Sequence, residues 1–300
     1  MSRKKYGVVI LNYRCANDSV IAAKTVMENA EDDNYVICIV EGGSGDEKEK
    51  EILKNAKLKN THILFLNNNY GYARGNNEGV RFLNERYELD YIVIMNPDVC
   101  IVQKSTIEDV IKEIEKNGDL IGGQPLVKTG NTDVPPNKQV NIRDICYKKD
   151  CLMLSCFIFN RIFKKRYREY IYYNEMPYNK PIEYYVPSGA FFVVKRDFFT
   201  EIEMFDERTF LYSEELIFGY KVKANDKKMV LVPTHFVEHE CGKSIGANDK
   251  KPSKFSHAQK KKSFDVYMKY YLKMGGVSRR LILLLKDFDF VLKKAFWKFR

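Results

Sequence analysis

The chain has 300 residues, of which 45% are hydrophobic and 30% charged. That composition excludes a disordered polypeptide and suits one large α/β domain with room for an appended segment. Its net charge of +10 is placed unevenly: residues 248–300 carry 15 Lys/Arg against four Asp, and residues 1–247 carry 35 basic against 36 acidic groups. A neutral body with a basic tail points to an anionic surface as partner of the tail. The seven cysteines are scattered, odd in number and without a CxxC pair, which fits reduced thiols in a reducing compartment rather than a disulfide framework or a zinc finger.

The N-terminus runs straight into a strand pattern, so no signal peptide is expected. The longest uncharged apolar-rich stretches, 151–160 and 281–285, are too short to cross a bilayer. The spacing predicts buried strands at 6–12, 35–40, 62–66 and 91–95, and helices at 17–29, 46–55 and 73–87 between them. Ser105, with Glu108 three residues on, predicts a capping box for a helix to residue 117, and 120–124 begins another strand. This alternation predicts βαβ units and a mostly parallel sheet. Residues 126–182 break the rhythm with a proline-rich and then a basic, aromatic stretch, and read as an insertion beside the site. Order returns over 183–195, with a helix near 213–224 and a strand at 229–232. From residue 255 the chain reads as helical, with basic and aromatic residues interleaved.

In an open α/β sheet ligands bind beyond the carboxyl ends of the strands. Strand one ends in Asn12-Tyr13-Arg14. Strand two ends in Glu41-Gly42-Gly43-Ser44-Gly45-Asp46, where an acid can meet a nucleobase or ribose, although a glycine-rich turn alone is also simply a turn. The loop Asn69 to Gly79, with Gly71, Arg74, Gly75, Asn76 and Asn77, opens a helix and offers amides, a cation and a helix start to a diphosphate. Strand four ends in Asn96-Pro97-Asp98, a carboxylate at a strand tip suited to a hard cation on a diphosphate. Ser188-Gly189-Ala190 joins two apolar runs. Glu214-Glu215 opens a helix, where paired acids either complement the dipole or supply a general base. His239 follows the last core strand.

Taken in order, these segments resemble the inverting family 2 glycosyltransferases over roughly residues 6–245. More narrowly they resemble the rhamnosyltransferase-like and galactofuranosyltransferase-like branch that builds bacterial surface polysaccharides such as capsule and cell wall. The resemblance implies a Rossmann-like glycosyltransferase A domain over 1–247, with 126–182 on the acceptor side and 248–300 as a basic helical extension. It implies that Glu41 reads the nucleobase, that the Asn69–Gly79 loop and Ser188-Gly189 line the donor pocket, and that Asp98, with His239, holds Mg²⁺ or Mn²⁺. It also implies that Glu215, second of the Glu214-Glu215 pair, is the catalytic base. Glu41-Gly42, Glu215, Ile217 and Lys221 depart from the family's usual Asp-Asn, Asp, Asp and Arg.

The expected reaction is inverting transfer from a UDP- or dTDP-linked sugar to a hydroxyl of a lipid-linked glycan. It would take place in the cytoplasm at the inner face of the membrane, with the tail on the anionic leaflet. The tail reads equally as a helical cap or a homodimer contact. The departures motivate an alternative, a non-catalytic nucleotide- or sugar-binding relative. No recognised nucleic-acid motif accompanies the basic tail, so no nucleic-acid partner is expected. The first turn lacks GxGxxG, which argues against a dinucleotide-dependent oxidoreductase.

Overall fold

The computed structural model describes residues 4–129, 142–239 and 253–298. β1 (Tyr6–Asn12), β2 (Tyr35–Glu41), β3 (Thr61–Phe65) and β4 (Tyr91–Met95) alternate with α1 (Ala16–Asn29), α2 (Glu47–Asn55) and α3 (Gly71–Asn84). There follow β5 (Val99–Ile101), α4 (Thr106–Ile114) and β6 (Leu120–Thr129). After the 130–141 stretch come α5 (Phe157–Ile162), α6 (Lys164–Tyr170), β7 (Ile182–Tyr184), β8 (Phe191–Lys195), α7 (Arg196–Glu201), α8 (Glu214–Ala224) and β9 (Lys228–His239). α9 (Lys254–Val266) continues through a π-helical turn at Tyr267–Tyr271, and α10 (Gly276–Lys298) closes the described chain.

One nine-stranded sheet runs β3-β2-β1-β4-β8-β6-β9-β5, with β7 on β9. β3, β2, β1 and β4 are parallel, as the βαβ pattern requires, and β6 is parallel to β9. β8, β7 and β5 pair antiparallel. Because strand side chains alternate, Val8 and Ile10 of β1 enter one core with α1 and α4, while Val9 enters the other with α3 and α8. The β-branched runs are apolar on both faces because helices cover both faces.

Several elements differ from the sequence expectation. Ser105 sits in the left-handed region (φ 58°) and makes no side-chain cap. Glu108 instead accepts the Tyr6 hydroxyl at 2.6 Å and the Glu31 amide, so the expected capping box is absent and that acid ties α4 to β1. β9 runs on to His239, well past residue 232, because β5, unforeseen in the sequence, gives its outer half a partner.

The insertion is not separate from the tail. Ile145, Cys146, Cys151 and Tyr170 form a third core with Ile217 of α8 and with Phe264, Tyr267, Met268 and Leu272 of the C-terminal segment. The Tyr267 hydroxyl donates to the Cys146 carbonyl at 2.6 Å, and the Ser263 hydroxyl to that of Leu211 at 2.8 Å. The sequence boundary at 247/248 lies outside the described residues.

Candidate active site

A cavity of about 910 Å³ opens at the carboxyl ends of β1, β2 and β4. Its volume is in the range of small-molecule pockets. β1 and β2 contribute Leu11, Tyr13 and Gly42. The loop into α3 contributes Asn69 to Tyr72 and Gly75. β4 contributes Asn96 and Pro97, and the loop before β8 contributes Ser188 and Gly189. Glu214 and Glu215 line it from α8, and His239 from the end of β9.

The glutamates are presented under strain. Tyr212 (φ 71°) and Ser213 (φ 66°) both sit in the left-handed region, where residues with a Cβ are disfavoured, immediately before Glu214. The segment before them is pinned. Asp206 is buried, takes a forked contact from Arg208 and accepts the Tyr271 hydroxyl at 2.7 Å. Burial works against its charge, yet these donors hold its carboxyl below the usual range. The Phe210 carbonyl accepts the Tyr72 amide at 2.7 Å. Gly71 makes this docking possible: its φ is 81°, and a Cβ there would lie 2.2 Å from the Phe210 oxygen.

Glu214 is 3% exposed and its Oε2 has no hydrogen-bond partner among the described residues. Burial first, and the adjacent Glu215 second, push its carboxyl well above the ordinary range. Glu215 is less enclosed and lies against Gly189: a Cβ on that glycine would meet Glu215 Oε1 at 2.2 Å. The Gly189 carbonyl accepts the Tyr72 hydroxyl at 2.5 Å.

The pairing of Val99 with His239 across β5 and β9 brings Asp98 to His239. Asp98 Oδ1 is buried without a hydrogen-bond partner among the described residues, and His239 Nε2 is 3.3 Å from it. A carboxylate oxygen and an imidazole nitrogen that approach without a hydrogen bond's alignment suit two ligands of one divalent cation. Among the described residues no third His, Cys, Asp or Glu joins them, so a cation here would draw its remaining ligands from phosphate and water.

Other expected donor-binding side chains are engaged within the fold and stand outside the cavity lining. Asn12 accepts the Cys15 amide and the Ser19 hydroxyl and organises the start of α1. Glu41 is fully buried and accepts the amides of Gly43 (3.2 Å) and Ser44 (2.9 Å). The backbone at Gly42, not the Glu41 carboxylate, therefore meets the cavity. Arg74 lies over the Tyr70 ring and pairs with Glu78 and Glu207. Asn76 donates to the Tyr72 carbonyl, and Asn77 clamps the Phe205 backbone from both sides. Among the departures, Ile217 is fully buried in the third core, and Lys221 donates to the carbonyls of Ile202 (2.7 Å) and Met204 (2.9 Å). Each residue suits its place in this packing.

Several cavity residues escape the sequence reading. Arg143 follows the 130–141 stretch, where no periodicity marks it, and its guanidinium joins the wall near both glutamates. Tyr72 is the aromatic position of the Asn69–Gly79 motif, read only as part of that loop. Phe255, in the tail, reaches the cavity and meets Phe210 edge to face.

The sequence profile of glycosyl transferase family 2 matches residues 8–202, about two thirds of the chain, and the chain belongs to that family. No curated protein matches it. Among solved structures, the chain is similar to a crystal structure of GalNAc-T7 with UDP, GalNAc and Mn²⁺. The TM-score is 0.62 at 15% sequence identity, over 89% of this chain and 48% of that one. The chain thus spans about half the length of the structure it matches, and the likeness establishes the glycosyltransferase A fold. The narrower rhamnosyl- or galactofuranosyltransferase branch rests on motif resemblance alone.

Proposed function

We propose that this chain transfers a sugar from a UDP- or dTDP-linked donor to a hydroxyl of a lipid-linked surface glycan, with inversion at the anomeric carbon. One observation carries the reading: a single cavity at the carboxyl ends of the strands is lined by Glu214, Glu215 and His239, and Asp98 lies 3.3 Å from that His239 ring nitrogen. Asp98 and His239 would hold Mg²⁺ or Mn²⁺, which when bound neutralises the charge of the departing diphosphate. Gly42, Gly71 and Gly75 line the cavity with Tyr13 and Asn96, where the donor would lie.

Glu215, less enclosed than Glu214 and set against Gly189, is the base that takes the proton from the acceptor hydroxyl. Gly189 leaves the room Glu215 occupies, and Arg143 supplies a cation near the developing charge. Thermal-shift titration with UDP, dTDP and GDP, each with and without Mn²⁺, tests donor and metal together. Stabilisation by one nucleotide only with metal is expected. Equal shifts with and without metal, or none, count against the reading. Glu215→Gln should abolish transfer with donor binding intact, and unchanged turnover removes Glu215 as the base.

We further infer that α10 rests on an anionic leaflet at the inner face of the membrane. No helix among the described residues is long and apolar enough to cross one. Val277, Leu281, Leu284, Phe288 and Val291 stand 52–84% exposed at alternating spacings of four and three, so they share one outward face of α10. Phe157 of α5 meets Phe296, and α5 adds exposed Ile158 and Ile162 together with Arg161. An apolar face rimmed by cations suits a negatively charged surface. Leu284→Glu should abolish co-sedimentation with phosphatidylglycerol vesicles. Undiminished capture, or a dimer lost in the variant, reassigns the face to a second copy of the chain.

A further inference from the structure

The C-terminal segment encloses a second concavity, of about 290 Å³, between α9 and α10. Lys260 and Lys261 reach it from α9 and Lys286 and Lys293 from α10, with His257 and the hydroxyls of Ser155, Ser253 and Ser256 around them. Carboxylates answer only part of this charge. Asp287 takes Lys261 at 2.5 Å and His257 at 2.8 Å. Asp289 takes Lys293 at 2.6 Å with one oxygen and the Phe157 amide with the other.

Lys260 and Lys286 have no carboxylate within ion-pair distance among the described residues. Lys260 lies over the Tyr212 ring at 4.7 Å. Lys286 donates to the Leu154 carbonyl at 3.1 Å and lies over the Phe264 ring at 4.3 Å. Burial pulls the Lys286 ammonium down, to about 8, and the charge of Lys293 adds to the effect. Two cations held in one cleft without counter-charge form an arrangement that a bound anion relieves. The amino end of α9 adds to the positive field: Ser253 caps it, and its first turn holds no acid.

We propose that this cleft binds a phosphoryl group. Two ammonium groups without a carboxylate partner beside the hydroxyls of Ser253 and Ser256 suit a multiply charged tetrahedral oxyanion better than a carboxylate, and the volume admits a diphosphate. The site is coupled to the main cavity through α9, which sends Phe255 into that cavity and rests Lys260 on Tyr212, two residues before Glu214. A bound phosphoryl group would therefore brace the segment that presents the glutamates. The inference stands on this cleft's own geometry and does not depend on the donor reading.

The test is isothermal titration of the full chain with inorganic pyrophosphate in metal-free buffer, against Lys260→Gln, Lys286→Met and Asp98→Ala. Loss of one charge-assisted contact should weaken binding about tenfold or more in each lysine variant and leave the Asp98 variant unchanged. Lys260 is exposed, so its variant keeps the fold even if the Lys286 variant does not. Phosphatidylcholine vesicles doped with phosphatidic acid separate the sources. Capture lost in Lys260→Gln assigns the site to a lipid headgroup, and capture unchanged beside weakened pyrophosphate binding assigns it to a soluble phosphate. Pyrophosphate and vesicle binding that are absent in the parent, or equal in parent and both lysine variants, overturn the proposal.

Discussion

At the scale of single residues, the adjacent glutamates divide the chemistry by burial. Glu214 is enclosed, and desolvation and its neighbour oppose its charge and raise its carboxyl well above the ordinary range. A carboxyl whose folded pKa is raised contributes stability that is fully present below the ordinary carboxylate range and is lost as pH rises toward the folded value. Glu214→Gln should therefore flatten the loss of stability as pH rises above the ordinary carboxylate range, measured as Tm against pH. A parent-like slope in the variant would remove Glu214 as its source. Gly189 acts through space it leaves empty. Gly189→Ala would push the Glu215 carboxylate aside, and a displacement of about 1 Å can cost on the order of 100-fold in turnover. Donor binding should persist, because the added methyl meets only the end of a flexible side chain. Retained turnover in that variant would show that Glu215 need not sit there.

At the scale of elements, the approach to α8 carries strain that its packing sustains. Tyr212 and Ser213 stay left-handed because the preceding segment is held by Phe210 on Tyr72 and by Asp206 on Arg208 and Tyr271. Glycine adopts such backbone without penalty, so Ser213→Gly should stabilise the fold by about 1 kcal/mol in chemical denaturation. A destabilised variant would place the stabilising contribution of Ser213 elsewhere. β5 shows how three residues can decide a site. Without its antiparallel pairing to β9, Asp98 and His239 would not face each other.

At the scale of the whole molecule, the C-terminal segment is structural as well as peripheral. Phe264, Tyr267, Met268 and Leu272 are buried against the insertion and α8. Their burial is worth on the order of 6–12 kcal/mol at ~1.5–3 kcal/mol each, comparable with the whole stability of a domain. Truncation before α9 should therefore unfold or aggregate the chain. Truncation before α10 should keep a cooperative transition, because most of that helix's apolar residues face outward. A stable, monomeric chain ending near residue 250 would contradict this account. The membrane test accordingly rests on Leu284→Glu rather than on removal of the tail.

The parallel half of the sheet was legible because its strands are local, apolar and bounded by turn residues, and those signals lie in the chain itself. The loops that meet the cavity were legible for the same reason: Tyr13, Gly71, Asn96, Ser188, Glu215 and His239 all stand at the ends of readable strands or helices. What the tertiary structure alone decided depends on contacts between distant segments. It turned Glu41 and Asn12 into supports of their own loops and Asn77 into a clamp on the distant Phe205 backbone, because buried polar groups must find partners. It brought Arg143 and Phe255 to the cavity wall and folded the tail onto the insertion. No local periodicity encodes such a meeting, since the free energy of burial depends on which surfaces come together rather than on their order in the chain.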